Sequence, residues 1–190
     1  MTMYELRKTD KDHVATPRYV VEDIYSLIDI ESFKSLWFPF NHYDSLFKLR
    51  ADELNLKYKA THIFDDVGND FFRTEPPLNC DLMISNPPFS EQNRIIERSF
   101  QLIDEKKIKS FALLLPLSTL ETEKRANIFE QYSDKLAILI FKKRIKFLGI
   151  KLALIVVVVG FAITYPLWKT KEFNGFRRNK HESKISRRAT

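Results

Sequence analysis

Apolar positions along the chain fall into two alternating patterns. In one, they recur at helical spacing. Val20, Val21, Ile24, Leu27 and Ile28 follow Thr16-Pro17, and a hydroxyl residue before a proline is a helix start, with Thr16 as N-cap. HYDSLFKLRADELN places Leu46, Phe47, Leu49 and Leu54 on or near one face. EQNRIIERSFQLIDEKK, with Ser90 before it as a cap, and TLETEKRANIFEQYS, with a capping-box-like Thr119…Thr122/Glu123 start, complete the helical set. In the other pattern, short runs are apolar throughout: FKSLWFPF, YKATHIF, CDLMIS, SFALLLPL and KLAILIF. These read as strands buried on both sides. Strands alternating with helices predict an α/β three-layer sandwich around a mostly parallel sheet.

KLALIVVVVGFAITYPLW, Lys151 to Trp168, fits two templates. A membrane helix needs about 20 apolar residues, and this run is barely long enough. The other template is two adjacent buried strands with a break near Gly160. Four consecutive valines favour strands, because β-branched side chains are stiff at χ1. A catalytic domain over residues 1–170 and a basic, flexible tail over 171–190 are the expected divisions, with the membrane reading the weaker one.

Composition narrows the class without naming a function. The 190 residues are 44% hydrophobic and 29% charged, values of a globular chain. The net charge of +6 mildly favours polyanionic partners. Cys80 is the single cysteine, which excludes an internal disulfide and a cysteine-built zinc site; no metal site is expected. The polar N-terminus has no apolar h-region, so a cytoplasmic location is expected.

In parallel sheets of this kind, sites form at the carboxyl ends of the strands. Three unusual strand ends are expected to converge there: Phe38–Asn41, Asp65–Asp66 and Asn86–Phe89. The last is the most specific. Proline cannot extend a sheet ladder, so in DLMISNPPFS the strand must stop, and an amide and a phenyl ring are held stiffly where it stops.

Asp81 through Phe89 resembles the catalytic motif, (D/N/S)-P-P-(Y/F/W) after an apolar strand, of amino-group methyltransferases that use S-adenosylmethionine. The resemblance implies the class I methyltransferase fold, Rossmann-like, with a seven-stranded sheet or a shortened version of it. It implies that the Asn86 side-chain carbonyl and the Pro87 backbone carbonyl accept hydrogen bonds from a target amino group. Pro88 stiffens the turn and Phe89 stacks on the extruded base. The motif names the chemistry better than the substrate. Adenine-N6 DNA enzymes carry it, as do ribosomal RNA guanine-N2 enzymes and, with Tyr, glutamine methyltransferases of release factors. Thr16-Pro17 resembles the motif beside the methionine end of the cofactor. Asp65 stands where a carboxylate accepts the ribose hydroxyls, and Asp70 and Phe71 where adenine is held. Solvated turn aspartates explain Asp65 and Asp70 equally well.

The chain departs from the family at the glycine-rich loop. The usual Asp-Pro-Phe-x-Gly-x-Gly is replaced by Phe38-Pro39-Phe40-Asn41-His42-Tyr43, without glycine. Phe38, Pro39 and Asn41 remain the candidate cofactor contacts. This variant resembles small phage and prophage methyltransferase-like proteins sharing TP…WFPF…NPPF…LLLPL…KRI-F, over about residues 12 to 147. Adenine-N6 methylation of DNA, protecting it from restriction, is the leading expectation. The alternatives are an RNA guanine or protein glutamine target, or a non-catalytic binding protein of the same fold. A separate target-recognition domain is not expected, so sequence specificity is expected to come from loops or a partner subunit, or to be absent. Lys142, Lys143, Arg144 and Lys146, with Arg177, Arg178, Arg187 and Arg188 of the tail, are candidate phosphate contacts, with solvated surface as the competing reading.

Overall fold

The computed structural model describes residues 16–42, 44–63, 66–141, 143–147, 150–160 and 176–178. Seven strands form one sheet: β1 (Leu36–Phe38), β2 (Tyr58–Ala60), β3 (Cys80–Ser85), β4 (Ile108–Pro116), β5 (Leu136–Phe141), β8 (Leu154–Gly160) and β9 (Phe176–Arg178). Their order is β2-β1-β3-β4-β8-β5-β9. The first four are mutually parallel, while β8 runs antiparallel between β4 and β5. A separate hairpin, β6 (Ile145–Phe147) and β7 (Ile150–Leu152), joins β5 to β8.

Side chains alternate between the two sheet faces, and both faces are covered. Leu36, Phe38, Leu82, Ile84, Ala112, Leu114, Val156 and Val158 pack against helices α1 (Arg18–Ile28) and α2 (Leu46–Glu53). Trp37, Met83, Phe111, Leu113, Leu115, Val157 and Val159 pack against α3 (Gln92–Asp104) and α4 (Glu123–Gln131). Burial on both sides is why the strands read as unbroken apolar runs. The Tyr25 hydroxyl donates to the Phe47 carbonyl at 2.6 Å and ties α1 to α2.

Several expectations change in detail. β1 and β2 are three residues each, because Pro39 has no N–H to continue the β1 ladder and the chain turns at Ile63. Leu49 is exposed; Phe47 and Ala51 are the buried residues of α2. Ser90 is not a cap but lies inside a single 3-10 turn, Phe89–Glu91, before α3. Of the valine-rich run, Leu154–Gly160 is one strand, and no helix among the described residues is long and apolar enough to cross a membrane. Residues 161–168 lie outside the described residues. Phe176–Arg178, expected in a flexible tail, pair with β5, which otherwise presents an open edge; the rest of 171–190 lies outside the described residues.

Asp81 opens β3 at the rim opposite Asn86. It accepts hydrogen bonds from the Lys34 and Ser35 N–H groups at 2.9 and 3.1 Å and from Lys109 Nζ at 2.6 Å. Burial pushes its pKa up, but the Lys109 and backbone hydrogen bonds together outweigh it, so the folded value lies below the ordinary one. A lowered folded value means stability that is present above the unfolded pKa of about 4 and is lost as pH falls from there. Acid titration of urea melts is therefore expected to lose about 1 kcal/mol at this site, discounted for partial exposure. Asp81→Asn removes that part of the profile; an unchanged profile would mean the clasp contributes nothing.

Candidate active site

The carboxyl ends of the parallel strands form one rim, and two of the three predicted strand ends meet there through side chains. Ser85 closes β3, and its hydroxyl donates to Asn41 Oδ1, beyond the end of β1, at 2.8 Å. The next residue, Asn86, donates from Nδ2 to the Thr16 hydroxyl at 3.1 Å. Thr16, Asn41 and Ser85 are all buried. A polar chain Thr16–Asn86–Ser85–Asn41 thus binds together the start of α1, the end of β3 and the loop after β1. Thr16 does not cap its helix: Pro17 occupies the N-cap position, and no side chain caps the first turn. The hydroxyl is committed to Asn86 instead.

With Nδ2 donating to the Thr16 hydroxyl, the Asn86 side-chain carbonyl is directed away from Thr16. Pro87 is buried and Pro88 half-buried, and both stiffen the turn. Phe89 is half-buried against the α1/α2 side of the core. Asn41 is 4% exposed, and its Nδ2 has no hydrogen-bond partner among the described residues. A buried donor left without an acceptor costs roughly 1–3 kcal/mol, so it marks a place built for an acceptor.

The other predicted cofactor residues are distributed unevenly. Phe38 is fully buried in the core, 5.1 Å from the Tyr58 ring, and Pro39 is buried beside it. Phe71 sits next to the loop after β1, with its ring 4.7 Å from Phe40 and 5.6 Å from Trp37. Asp70 accepts from the Phe72 N–H at 3.0 Å, and Asp66 from the Gly68 N–H at 2.8 Å, so each holds its own turn. Asp65 lies outside the described residues. The positions that carry glycine in the resembling family hold His42 and Asp44, with Nδ1 and Oδ1 3.3 Å apart. The His42 ring also stands edge-on to His62, two residues past β2, with centroids 5.4 Å apart.

Lys143, Arg144 and Lys146 are exposed just past β5, at the same rim. Four strand spacings, about 19 Å, separate β5 from β1, so these cations stand well away from Asn41. Lys142 lies outside the described residues.

Sequence reasoning missed two supports. Ser85 was legible as a polar residue closing an apolar strand. Arg125 carried no signal. It is buried in the first turns of α4 and donates to the Thr119 carbonyl, Asn93 Oδ1 and the Ser118 carbonyl at 2.5, 2.7 and 2.8 Å. Thr119 in turn donates its hydroxyl to Gln92 Oε1 at 2.9 Å rather than forming a capping box. These bonds hold the loop after β4 against Gln92 and Asn93 at the start of α3. Leu117 and Leu120 are exposed on that loop. Burial pushes the Cys80 thiol up to about 12, so it is a neutral core residue and not a nucleophile.

No protein-family model matches the chain, and no curated protein matches it by sequence. Among solved structures, it is similar to a candidate class I S-adenosylmethionine-dependent methyltransferase from Listeria monocytogenes. The TM-score is 0.52 at 13% identity, over 79% of this chain and 62% of that one. The chain thus spans less than two thirds of that protein. A candidate RNA methyltransferase from Pyrococcus horikoshii aligns with TM-score 0.47 at 12% identity, over 77% of this chain and 86% of that one. A human methyltransferase 10 domain containing protein aligns with TM-score 0.41 at 13% identity, over 76% and 80%. The fold is that of the class I methyltransferases, with a sheet of seven strands in which β8, between β4 and β5, and the edge strand β9 run antiparallel to their neighbours.

Proposed function

We propose that the chain is an S-adenosylmethionine-dependent methyltransferase acting on an exocyclic amino group, with adenine N6 of DNA as the leading target. The observation that carries this reading is the Asn86–Thr16 hydrogen bond, which sets a stiffly held amide at the strand rim where such a fold does its chemistry. An exocyclic amine is a poor nucleophile while its lone pair is delocalised into the ring. Acceptors at the Asn86 side-chain carbonyl and the Pro87 backbone carbonyl draw its two N–H bonds out of the ring plane and aim the lone pair. Positioning of this kind contributes several kcal/mol. Phe89 covers the flat face of the base.

The residues present fit the cofactor. Asn41 Nδ2 is a buried donor in need of an acceptor, such as a carboxylate; Thr16 belongs to the same polar chain through Asn86, and Phe71 packs on Phe40, the residue before Asn41. When bound, S-adenosylmethionine supplies a methyl group on a sulfonium sulfur, which keeps the C–S electron pair and leaves as a thioether. The His42–Asp44 pair in place of glycines favours one second reading, a binding protein of this fold without transferase activity.

Titration calorimetry with S-adenosylmethionine, followed by transfer of labelled methyl groups to mixed DNA, RNA and protein, separates these readings. Micromolar binding and labelled DNA are expected. Label in RNA or protein alone moves the target, and no binding at all leaves the non-catalytic reading.

A further inference from the structure

The β6–β7 hairpin contains an arrangement that its own stability does not explain. Its register sets Lys146 directly opposite Lys151. Directly opposed residues on one face of an antiparallel pair have Cβ atoms about 5 Å apart, and like charges there are destabilising. Both lysines are exposed. The neighbouring pair, Ile145 opposite Leu152, faces the other way: Ile145 is 1% exposed in the core, and Leu152 packs against it. The hairpin is thus seated by one face and sets two exposed lysines opposite each other on the other.

The surrounding charge is one-sided. From Phe141 to Gly160 the chain has five basic residues and no Asp or Glu, a net charge of +5 in twenty residues. None of Lys143, Arg144, Lys146 and Lys151 forms a salt bridge among the described residues. A two-stranded hairpin this short is marginal by itself, so keeping an uncompensated pair in it points to an anion that bridges the pair.

Position says which anion. The hairpin rises from the same rim as Asn86. At its base, the Leu117 N–H donates to the Ala153 carbonyl at 2.9 Å. Two residues on, Thr119 is bonded to Gln92, which begins the helix that follows Asn-Pro-Pro-Phe. Backbone and side-chain hydrogen bonds therefore connect the lysine pair to the proposed catalytic turn.

We propose that Lys146 and Lys151 form a clamp for the phosphodiester backbone of a nucleic-acid strand whose base is presented to Asn86. This rests on the methyltransferase reading and sharpens it, because a nucleic-acid clamp selects nucleic acid over protein as the target. Lys151 belongs to the clamp only through cross-strand pairing, which no local sequence motif reveals.

The test is fluorescence anisotropy of labelled single-stranded and duplex oligonucleotides without methyl donor, over a salt series, with Lys151→Glu and the double variant Lys146→Gln/Lys151→Gln. Lys57→Glu, an exposed lysine at the opposite rim, controls for net charge. Lys151→Glu is expected to weaken binding about tenfold and to lower the log–log salt slope by about one or more. It should also leave the melting temperature equal or higher, since an opposite-charge pair replaces the repulsive one. The double variant should weaken binding with a smaller stability change, and Lys57→Glu should have little effect. Unchanged affinity and slope in the clamp variants overturn the clamp. So does equal weakening by Lys57→Glu, or a wild-type protein that binds no oligonucleotide yet methylates a protein. In that last case the methyltransferase reading survives, whereas loss of donor binding in the calorimetry would sink that reading without touching this assay.

Discussion

Asn86→Ala is expected to lower single-turnover methyl transfer by about a thousandfold while leaving S-adenosylmethionine affinity essentially unchanged. The asymmetry follows from the geometry. The Asn86 carbonyl is assigned to the target amine, and its hydrogen bond strengthens as the nitrogen gains positive charge on the way to the transition state. Interactions of that kind raise the rate of the chemical step rather than ground-state binding. Unchanged donor affinity is the check that the variant remains folded. The substitution removes one hydrogen bond to Thr16, which costs about 1 kcal/mol. Thr16→Val tests the support behind the amide: it keeps the shape but removes the acceptor of Asn86 Nδ2, so the carbonyl loses its fixed direction. About a tenfold loss in rate is expected, smaller than for Asn86→Ala because the carbonyl itself remains. Asn86→Asp should keep part of the activity, since the carboxylate still accepts from the amine and the Thr16 hydroxyl can donate to it. An Asn86→Ala protein with wild-type transfer would remove the amide from the reaction altogether.

Much of this site was legible because its elements are local. CDLMIS, the two prolines and the helix after them follow one another along the chain, and each is bounded by residues that forbid its continuation. Thr16 was legible as a conspicuous residue but not in its role. Helix capping is a local interaction, whereas its real partner, Asn86, is 70 positions away. The same limit applies to Arg125, whose three acceptors lie on a loop and a preceding helix, and to the Lys146–Lys151 pair, which exists only once the register of the hairpin is set. The lengths of β1 and β2 were overestimated because the apolar residues after them, Phe40 and Ile63, look like strand but serve the loops of the rim. Most of all, the antiparallel place of β8 between β4 and β5 depends on which strand lies nearest in space, and hydrophobic pattern does not encode that. The pattern left two templates open for the valine-rich run, and only the sheet decides between them.

A single substitution in that run distinguishes the two templates by the sign of its effect. Gly160 ends β8 with φ +145, a conformation that side chains rarely adopt. A Cβ there would lie 2.4 Å from Ser110 Cβ, 2.6 Å from the Lys109 carbonyl oxygen and 2.7 Å from Ser110 Cα. Two of those atoms are backbone, so no rotamer change relieves the clash, and the cross-strand pairing with Ser110 must open. Overpacking costs about 1–3 kcal/mol and the strained backbone a similar amount. Gly160→Ala is therefore expected to lose about 3–5 kcal/mol, a large share of a typical domain's stability, and to lower Tm by about 10 °C or more. Ser110 also donates its hydroxyl to the Asp81 carbonyl at 2.6 Å, so the damage extends to the clasp that opens β3. Gly68→Ala is the control: its Cβ would meet the Asp66 carboxylate, with Oδ1 at 3.4 Å, Oδ2 at 3.5 Å and Cγ at 3.6 Å, all ordinary contacts, and Tm should barely move. If the valine-rich run were a membrane helix, Gly160→Ala would replace a poor helix former by the best one and stabilise it by about 1 kcal/mol. A drop in Tm thus supports the sheet, and a rise would require the strand β8, and the hairpin that leads into it, to be abandoned.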